Sequence, residues 1–234
     1  MKIENLTVCY KNKTVLQGVS FELPPQTVTV LLGKNGSGKT TLLRALAGQL
    51  PCSGTVPLPQ APRERAKKLA YLPQFLPAVS LEAEQLVALG RTPHHTLPDL
   101  LNEEDRQKIT EALEQAGAAE LRHRRVDTLS GGERQRVYLA MVLAQDTEYL
   151  LLDEPTAHTD AGYSAMLMQQ LHTLTAHGKT VLAVVHDLNA AVSYADRLLL
   201  LDEGKLTDPA RMEEVFGVQR IPYTENGETK YFYK

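Results

Sequence analysis

Eight consecutive residues constrain this chain of 234 more than any others: Gly33-Lys34-Asn35-Gly36-Ser37-Gly38-Lys39-Thr40. They match GxxxxGK[ST] without exception. The run before them, Val28-Thr29-Val30-Leu31-Leu32, is apolar and β-branched and reads as a buried strand. The run after them, Thr41 to Ala47, has helical character and stops at Gly48. A strand feeding a glycine loop and then a helix suits one kind of chemistry. Successive backbone N–H groups turn inward around a phosphate, with glycines where side chains would clash. The helix presents its N-terminus to the same anion. Lys39 then reaches the β- and γ-phosphates and the Thr40 hydroxyl takes a magnesium position. Gly33, Asn35, Gly36, Ser37, Gly38 and Thr41 complete the expected cradle.

The rest of the chain supplies the setting. Ile3 to Tyr10 reads as a strand with Leu6, Val8 and Tyr10 on one face, and Val15 to Leu23 as its partner, closed by Pro24-Pro25. Strand character returns at Tyr149 to Leu152, Val181 to Val185 and Arg197 to Leu201, with helical patterns at Gly162 to Ala176 and Leu188 to Tyr194 between them. Such alternation implies a parallel α/β sheet. From Leu81 to Gly117 the composition shifts to strong helix formers, broken by the proline-bearing stretch Arg91 to Pro98. Glu133 to Ala144 is a further helix, with Val137, Ala140, Met141 and Ala144 at i, i+3, i+4, i+7. In the tail, Asn226-Gly227 between Tyr-rich runs signals a hairpin. The expected class is α/β: a P-loop NTPase core with a mainly parallel sheet, an N-terminal antiparallel β portion and an inserted α-helical subdomain. The expected boundaries are 1–74 and 146–212 for the core, 75–145 for the helical subdomain and 213–234 for a C-terminal extension.

Composition excludes little but is useful. A formal net charge of −3 gives no global attraction to nucleic acid or to an anionic membrane surface, so no nucleic-acid partner is expected. Cys9 and Cys52 form no CxxC pair and read as reduced thiols of a cytosolic protein. No apolar run approaches the roughly 20 residues that span a bilayer, and the N-terminus lacks a signal-peptide profile. Any membrane part must come from another chain. His94-His95 reads as a solvated loop pair, with no metal role beyond magnesium.

A second glycine-opened helix narrows the class. In Leu129-Ser130-Gly131-Gly132-Glu133-Arg134-Gln135-Arg136, a hydroxyl and bare backbone amides make another anion-binding N-terminus. This stretch resembles the signature motif of ABC-type ATPases, and the other parts follow in the family's order along essentially the whole chain. Tyr149 to Leu152 ending in Asp153-Glu154 is similar to the Walker B segment. The resemblance gives Asp153 a magnesium role and Glu154 the polarising of the attacking water. Gln74, in Tyr71-Leu72-Pro73-Gln74, resembles the Q-loop glutamine, sensing magnesium and the γ-phosphate. His186, in Val185-His186-Asp187-Leu188, resembles the switch histidine that positions Glu154 and water. Tyr10 resembles the aromatic that stacks on adenine, though a Tyr packed at a strand end fits the residues as well. Asp160 matches the acidic residue of the D-loop, which here has Thr159 where the family has leucine.

The resemblance implies ATP and Mg2+ as cofactors and a head-to-tail dimer with a second ATPase subunit. Each ATP would lie between Gly33–Thr40 of one chain and Ser130-Gly131-Gly132 of the other. Val87-Ala88-Leu89-Gly90-Arg91-Thr92-Pro93-His94 and Glu214-Val215-Phe216-Gly217-Val218 are similar to importer ATPases for ferric siderophores, haem and cobalamin. In such systems an integral membrane permease docks on the helical subdomain, an extracytoplasmic solute-binding protein delivers cargo, and the ATPase sits peripherally on the cytoplasmic face. The stretch Gly54 to Lys68 departs from the group, being short and proline-rich without an Asp-Gly hairpin. An exporter subunit and a non-transport ABC ATPase stay open as alternatives.

Overall fold

The computed structural model describes residues 1–11, 13–95, 101–156, 161–225 and 228–234. In chain order the strands and helices are β1 (Lys2–Tyr10), β2 (Lys13–Glu22), β3 (Val28–Leu32), α1 (Lys39–Leu46), β4 (Ser53–Thr55), α2 (Pro62–Ala66), β5 (Leu69–Leu72), α3 (Ala83–Ala88), α4 (Glu103–Gln115), α5 (Gly131–Ala144), β6 (Tyr149–Asp153), α6 (Ala161–Ala176), β7 (Thr180–Val184), α7 (Leu188–Tyr194), β8 (Arg197–Asp202), β9 (Lys205–Thr207), α8 (Met212–Phe216), β10 (Arg220–Glu225) and β11 (Glu228–Tyr233). They form two compact units, 1–57 with 165–234, and 58–164.

In the first unit β3 is the central strand. It pairs in parallel with β7 on one side, Val30 opposite Ala183, and with β8 on the other, Val30 opposite Leu198. All five β3 residues are buried, which is why the segment reads as a continuous apolar run rather than an alternating one. β9 closes the edge antiparallel to β8. The expected antiparallel portion is present: β1 lies between β2 and β4. Leu6 and Val8 are buried, but Tyr10, expected on their face, is 42% exposed. Register shifts between Leu6 and Val8 and between Val8 and Cys9 break the alternation. The short β4 pairs Ser53 with Thr7 and gives order to a stretch in which the sequence offered no hairpin signal. Both cysteines are free and exposed. The tail forms the expected antiparallel ribbon, Arg220 opposite Tyr233. Asn226-Gly227, the pair that signalled the hairpin, lies outside the described residues.

In the second unit β5 and β6 run parallel, Leu72 opposite Leu152, and α5 packs against α3, α4 and β5. β5 has only four residues, too few to show a period, so the sequence hides it. The single stripe expected on α5 is too narrow. Gln135, Val137, Tyr138, Leu139, Ala140, Val142, Leu143 and Ala144 are all buried, whereas Met141 is only half-buried. A helix covered from several sides is apolar nearly all round. Because α5 packs on β5, the compact unit takes in 58–74 and 146–164 along with the helices expected at 75–145.

The stretch from Leu89 to His94 is a 3-10 turn, and it is internal structure rather than a free loop. Arg91, 5% exposed, donates from Nε to Asp105 Oδ1 at 2.8 Å and from a terminal nitrogen to the Ala144 carbonyl at 2.8 Å. It thereby ties the start of α4 to the end of α5. The His pair is only partly exposed, and each ring has a protein partner. His94 Nε2 meets the Gln145 carbonyl at 2.9 Å, and His95 Nε2 lies 2.7 Å from Asp105 Oδ2. Asp105 is also the N3 residue of a capping box with Asn102. Burial pushes its carboxyl up, but the bonds from Arg91, His95 and Asn102 prevail and hold it at about 2. Among the described residues no helix is long and apolar enough to cross a membrane, and no group of His, Cys, Asp and Glu has a metal-binding arrangement.

Candidate functional site

The first unit carries the glycine loop. β3 delivers Gly33, and α1 begins at Lys39. Gly38 is the N-cap, with φ 109° and no side chain bonding the helix end, so the first N–H groups of α1 face outward into the loop. Only glycine fits there: its φ is left-handed, and a Cβ would stand 2.8 Å from Leu16 Cδ2. Lys39, 6% exposed, lies across the loop and donates to the carbonyls of Gly33 at 2.7 Å and Lys34 at 3.0 Å. Ser37 Oγ is buried without a hydrogen-bond partner among the described residues. An unused buried hydroxyl beside an uncapped helix start is the donor set that an anion requires. Thr40 is exposed at the same helix start.

His186 belongs to this unit too. It follows β7 and is exposed, and Asp187 caps α7 directly after it, accepting from the amides of Asn189 at 2.8 Å and Ala190 at 3.1 Å. Leu31 of β3 and Val184 of β7 are paired, so Gly33 and His186 each lie two residues past that pair. Parallel neighbours are ~4.8 Å apart, which puts the glycine loop and His186 at the carboxyl ends of adjacent strands. Ligands bind at that end of a parallel sheet. Tyr10, exposed, pairs with Lys13 of β2, whose Val15 and Leu16 approach Gly38.

The second unit carries the acidic residues. Asp153 closes β6 fully buried, and its Oδ2 accepts from the Tyr71 hydroxyl at 3.2 Å. Glu154 follows with φ 53°, a left-handed conformation that costs a non-glycine residue about 1–3 kcal/mol. Its Oε2 accepts from Gln74 Nε2 at 2.5 Å. The parallel pairing of β5 with β6 brings this about: Gln74 lies two residues beyond Leu72, Glu154 two beyond Leu152. Two residues singled out far apart in sequence are thus bonded to each other.

Ser130 is the N-cap of α5, as expected, but its end of the helix is not bare. Glu133 Oε2 accepts from the Ser130 N–H at 2.9 Å and from its hydroxyl at 2.8 Å, and the Glu133 N–H returns to Ser130 Oγ at 3.3 Å. These bonds, with Arg124 at 2.9 Å, hold the Glu133 carboxyl below the ordinary glutamate range. Gly131 and Gly132 stay open at the helix start. The segment after Gln74 is fastened on both sides of Ser130: to α5, where Tyr138 donates to the Pro77 carbonyl at 2.8 Å, and to the segment before it, where Ser80 donates to Asp127 at 2.9 Å and the Val126 N–H to the Leu81 carbonyl at 2.9 Å. Sequence reasoning missed Tyr138, Ser80, Asp127 and Asp105, and saw Arg91 only through resemblance, because the bonds Tyr138–Pro77, Ser80–Asp127 and Arg91–Asp105 join residues distant in the chain. Asp160, with Ala157, His158 and Thr159, lies outside the described residues.

A glycine loop on a parallel sheet, an acidic strand end bonded to a glutamine and a serine-capped glycine helix define an ATP-binding cassette. The chain belongs to the ABC transporter family, whose model matches residues 16–157, and it is an ATPase. It is 37% identical over 224 residues to the iron(3+)-hydroxamate import ATP-binding protein of Bacillus subtilis, covering 92% of this chain and 83% of that one. It is 40% identical over 248 residues to the hemin import ATP-binding protein of Pseudomonas aeruginosa, covering 95% and 96%. Among solved structures it is similar to a dimeric ATP-binding cassette in a post-hydrolysis state bound to ADP and Pi. That match has a TM-score of 0.79 and 26% identity, and covers 88% of this chain and 96% of that one.

Proposed function

We propose that this chain is the ATP-hydrolysing subunit of an importer for an iron complex such as a ferric siderophore or haem, working as a homodimer beneath a separate membrane permease. The observation that carries the cargo class is the likeness, along nearly the whole chain, to import ATP-binding proteins for iron(3+)-hydroxamate and hemin. The dimer is supported by the solved cassette with ADP and Pi, and by a chain with only one glycine loop and one signature helix.

In this reading the uncapped start of α1, Ser37 and Lys39 hold the phosphates of ATP, and Tyr10 stacks on the base. Ser130, Gly131 and Gly132 of the second subunit bind the same nucleotide from the opposite side. Glu154 polarises the attacking water, Gln74 holds Glu154 through its hydrogen bond, and His186 orients water at the γ-phosphate. The Thr40 hydroxyl and the buried carboxylate of Asp153 are hard oxygen donors of the kind that suits Mg2+. Magnesium, when bound there, would offset phosphate charge. Asp160 completes the proposed set on sequence grounds.

Reconstitution tests the reading. The subunit, its permease and the matching solute-binding protein in vesicles should take up ferric hydroxamate or haem on ATP addition. The same vesicles carrying Glu154→Gln should not. ATP-driven efflux of these compounds, or uptake indifferent to the substitution, would overturn it.

A further inference from the structure

The C-terminal ribbon does more than end the chain. Asn189, in the first turn of α7, clamps the last strand with both ends of its side-chain amide. Its Oδ1 accepts from the Tyr233 N–H at 2.7 Å, and its Nδ2 donates to the Tyr233 carbonyl at 3.2 Å. The amide therefore acts as one rung of a β-ladder for β11. The ribbon is braced elsewhere as well. Gln219 and Lys234 exchange backbone bonds at 2.9 and 3.1 Å, the Arg220 N–H donates to Glu213 Oε1 at 2.8 Å, and the Arg220 guanidinium lies 4.1 Å from the centre of the Tyr231 ring. Glu213 sits in α8, which is anchored by buried Met212 and Val215. The ribbon thus strings a rigid support from α8 to the start of α7. That start is the turn bearing His186, three residues before Asn189, with Asp187 capping the helix between them.

We infer that Asn189 is a positioning residue for hydrolysis, fixing the His186 turn against the C-terminal ribbon through its bidentate bond to Tyr233. The inference rests on the proposed role of His186. A side chain held at two points resists the small rotation of α7 that would carry His186 away, and displacements of about 1 Å at such a group cost up to ~100-fold in rate. The glycine loop lies on α1 and makes none of these bonds, so nucleotide affinity should be untouched.

The test is a double-mutant cycle on ATP hydrolysis by the purified full-length chain. Asn189→Ala removes both bonds while favouring the helix. Tyr233→Pro removes the N–H given to Asn189, which is not used to pair with β10, and takes the ring with it. Tyr233→Ala keeps the N–H and deletes the ring. Asn189→Ala and Tyr233→Pro should each lower kcat by about three- to tenfold with KM for ATP unchanged and the chain still fully folded at the assay temperature. The double variant should fall no further, and Tyr233→Ala should turn over normally. His186→Ala serves as the reference. If it is impaired while Asn189→Ala and Tyr233→Pro keep wild-type kcat, or if their losses add, the positioning role is wrong. Wild-type turnover in His186→Ala would instead remove the reading of His186, and the inference with it.

Discussion

Glu154 combines three properties that seldom meet in one residue: it directly follows a buried strand, it adopts a left-handed backbone and its carboxylate is held by Gln74. Strain of this kind persists where surrounding structure enforces it, and it gathers at working sites. The Gln74 bond restrains the carboxylate in advance. Glu154→Gln keeps size and shape but loses the charge that is proposed to polarise water. We expect ATP binding close to wild type with kcat lowered by at least about 100-fold, checked by binding of a fluorescent ATP analogue beside single-turnover phosphate release. Wild-type turnover would take Glu154 out of the catalytic role. At this scale the sequence was highly legible. The glycine loop, Asp153-Glu154 and Ser130-Gly131-Gly132 are local motifs whose spacing reflects backbone geometry. What it could not supply was pairing. Nothing near Gln74 names Glu154 as its partner. The Ser130–Glu133 bond is different, since Ser130-Gly131-Gly132-Glu133 has the S-x-x-E spacing of a capping box and was open to reading.

Among elements, the contact of α4 with α5 depends on a buried ion pair. Arg91 and Asp105 have side chains 6% and 2% exposed. Removing one partner of such a pair costs about 3–5 kcal/mol, because the other charge stays buried. Asp105→Asn should therefore lower stability by that amount, measurable as a shift in the urea midpoint at neutral pH. The same carboxyl gives an acid limit. Its folded value, about 2, lies below the ordinary 3.8, so its contribution is complete above pH ~4 and is lost as pH falls towards 2. In magnitude it is about 2 kcal/mol. Acid titration of wild type against Asp105→Asn should show the two stabilities converging through that window. Gly90 offers a steric counterpart. A Cβ there would collide with the Met141 carbonyl of α5, a backbone atom that cannot rotate away. Gly90→Ala should cost about 1–3 kcal/mol by thermal unfolding, as overpacked interiors do. The stretch Gly90 to His94 drew notice through resemblance alone, and its structural work was invisible because Asp105 and Ala144 are remote in sequence. β5 and the full burial of α5 were missed for a related reason: four apolar residues and an all-round apolar helix carry no clear period.

For the whole molecule, the proposed homodimer makes hydrolysis a property of two chains, since this sequence has one glycine loop and one signature helix. Specific activity per protomer should rise with protein concentration and level off once dimers dominate, and a verified monomer hydrolysing at the plateau rate would contradict this. The α/β class and the antiparallel portion could be read from alternating patterns, whereas the division into compact units depends on α5 packing against β5. The central place of β3 has a further consequence, for biosynthesis. The strand that presents the glycine loop is an early one, yet Val28 finds its neighbour at Val181 and Thr29 finds its own at Arg197. The loop itself is braced by the Gly204 N–H, which donates to the Ser37 carbonyl at 3.1 Å. A ribosome adding 5–20 residues per second therefore leaves the phosphate cradle unfinished for roughly ten to thirty seconds after its own residues have been joined. During that interval β3 is an apolar strand with neither flank covered, a substrate for chaperones and a template for misassociation. Until the segment from Val181 to Gly204 has emerged, nucleotide meets a cradle without its flanking strands and its brace.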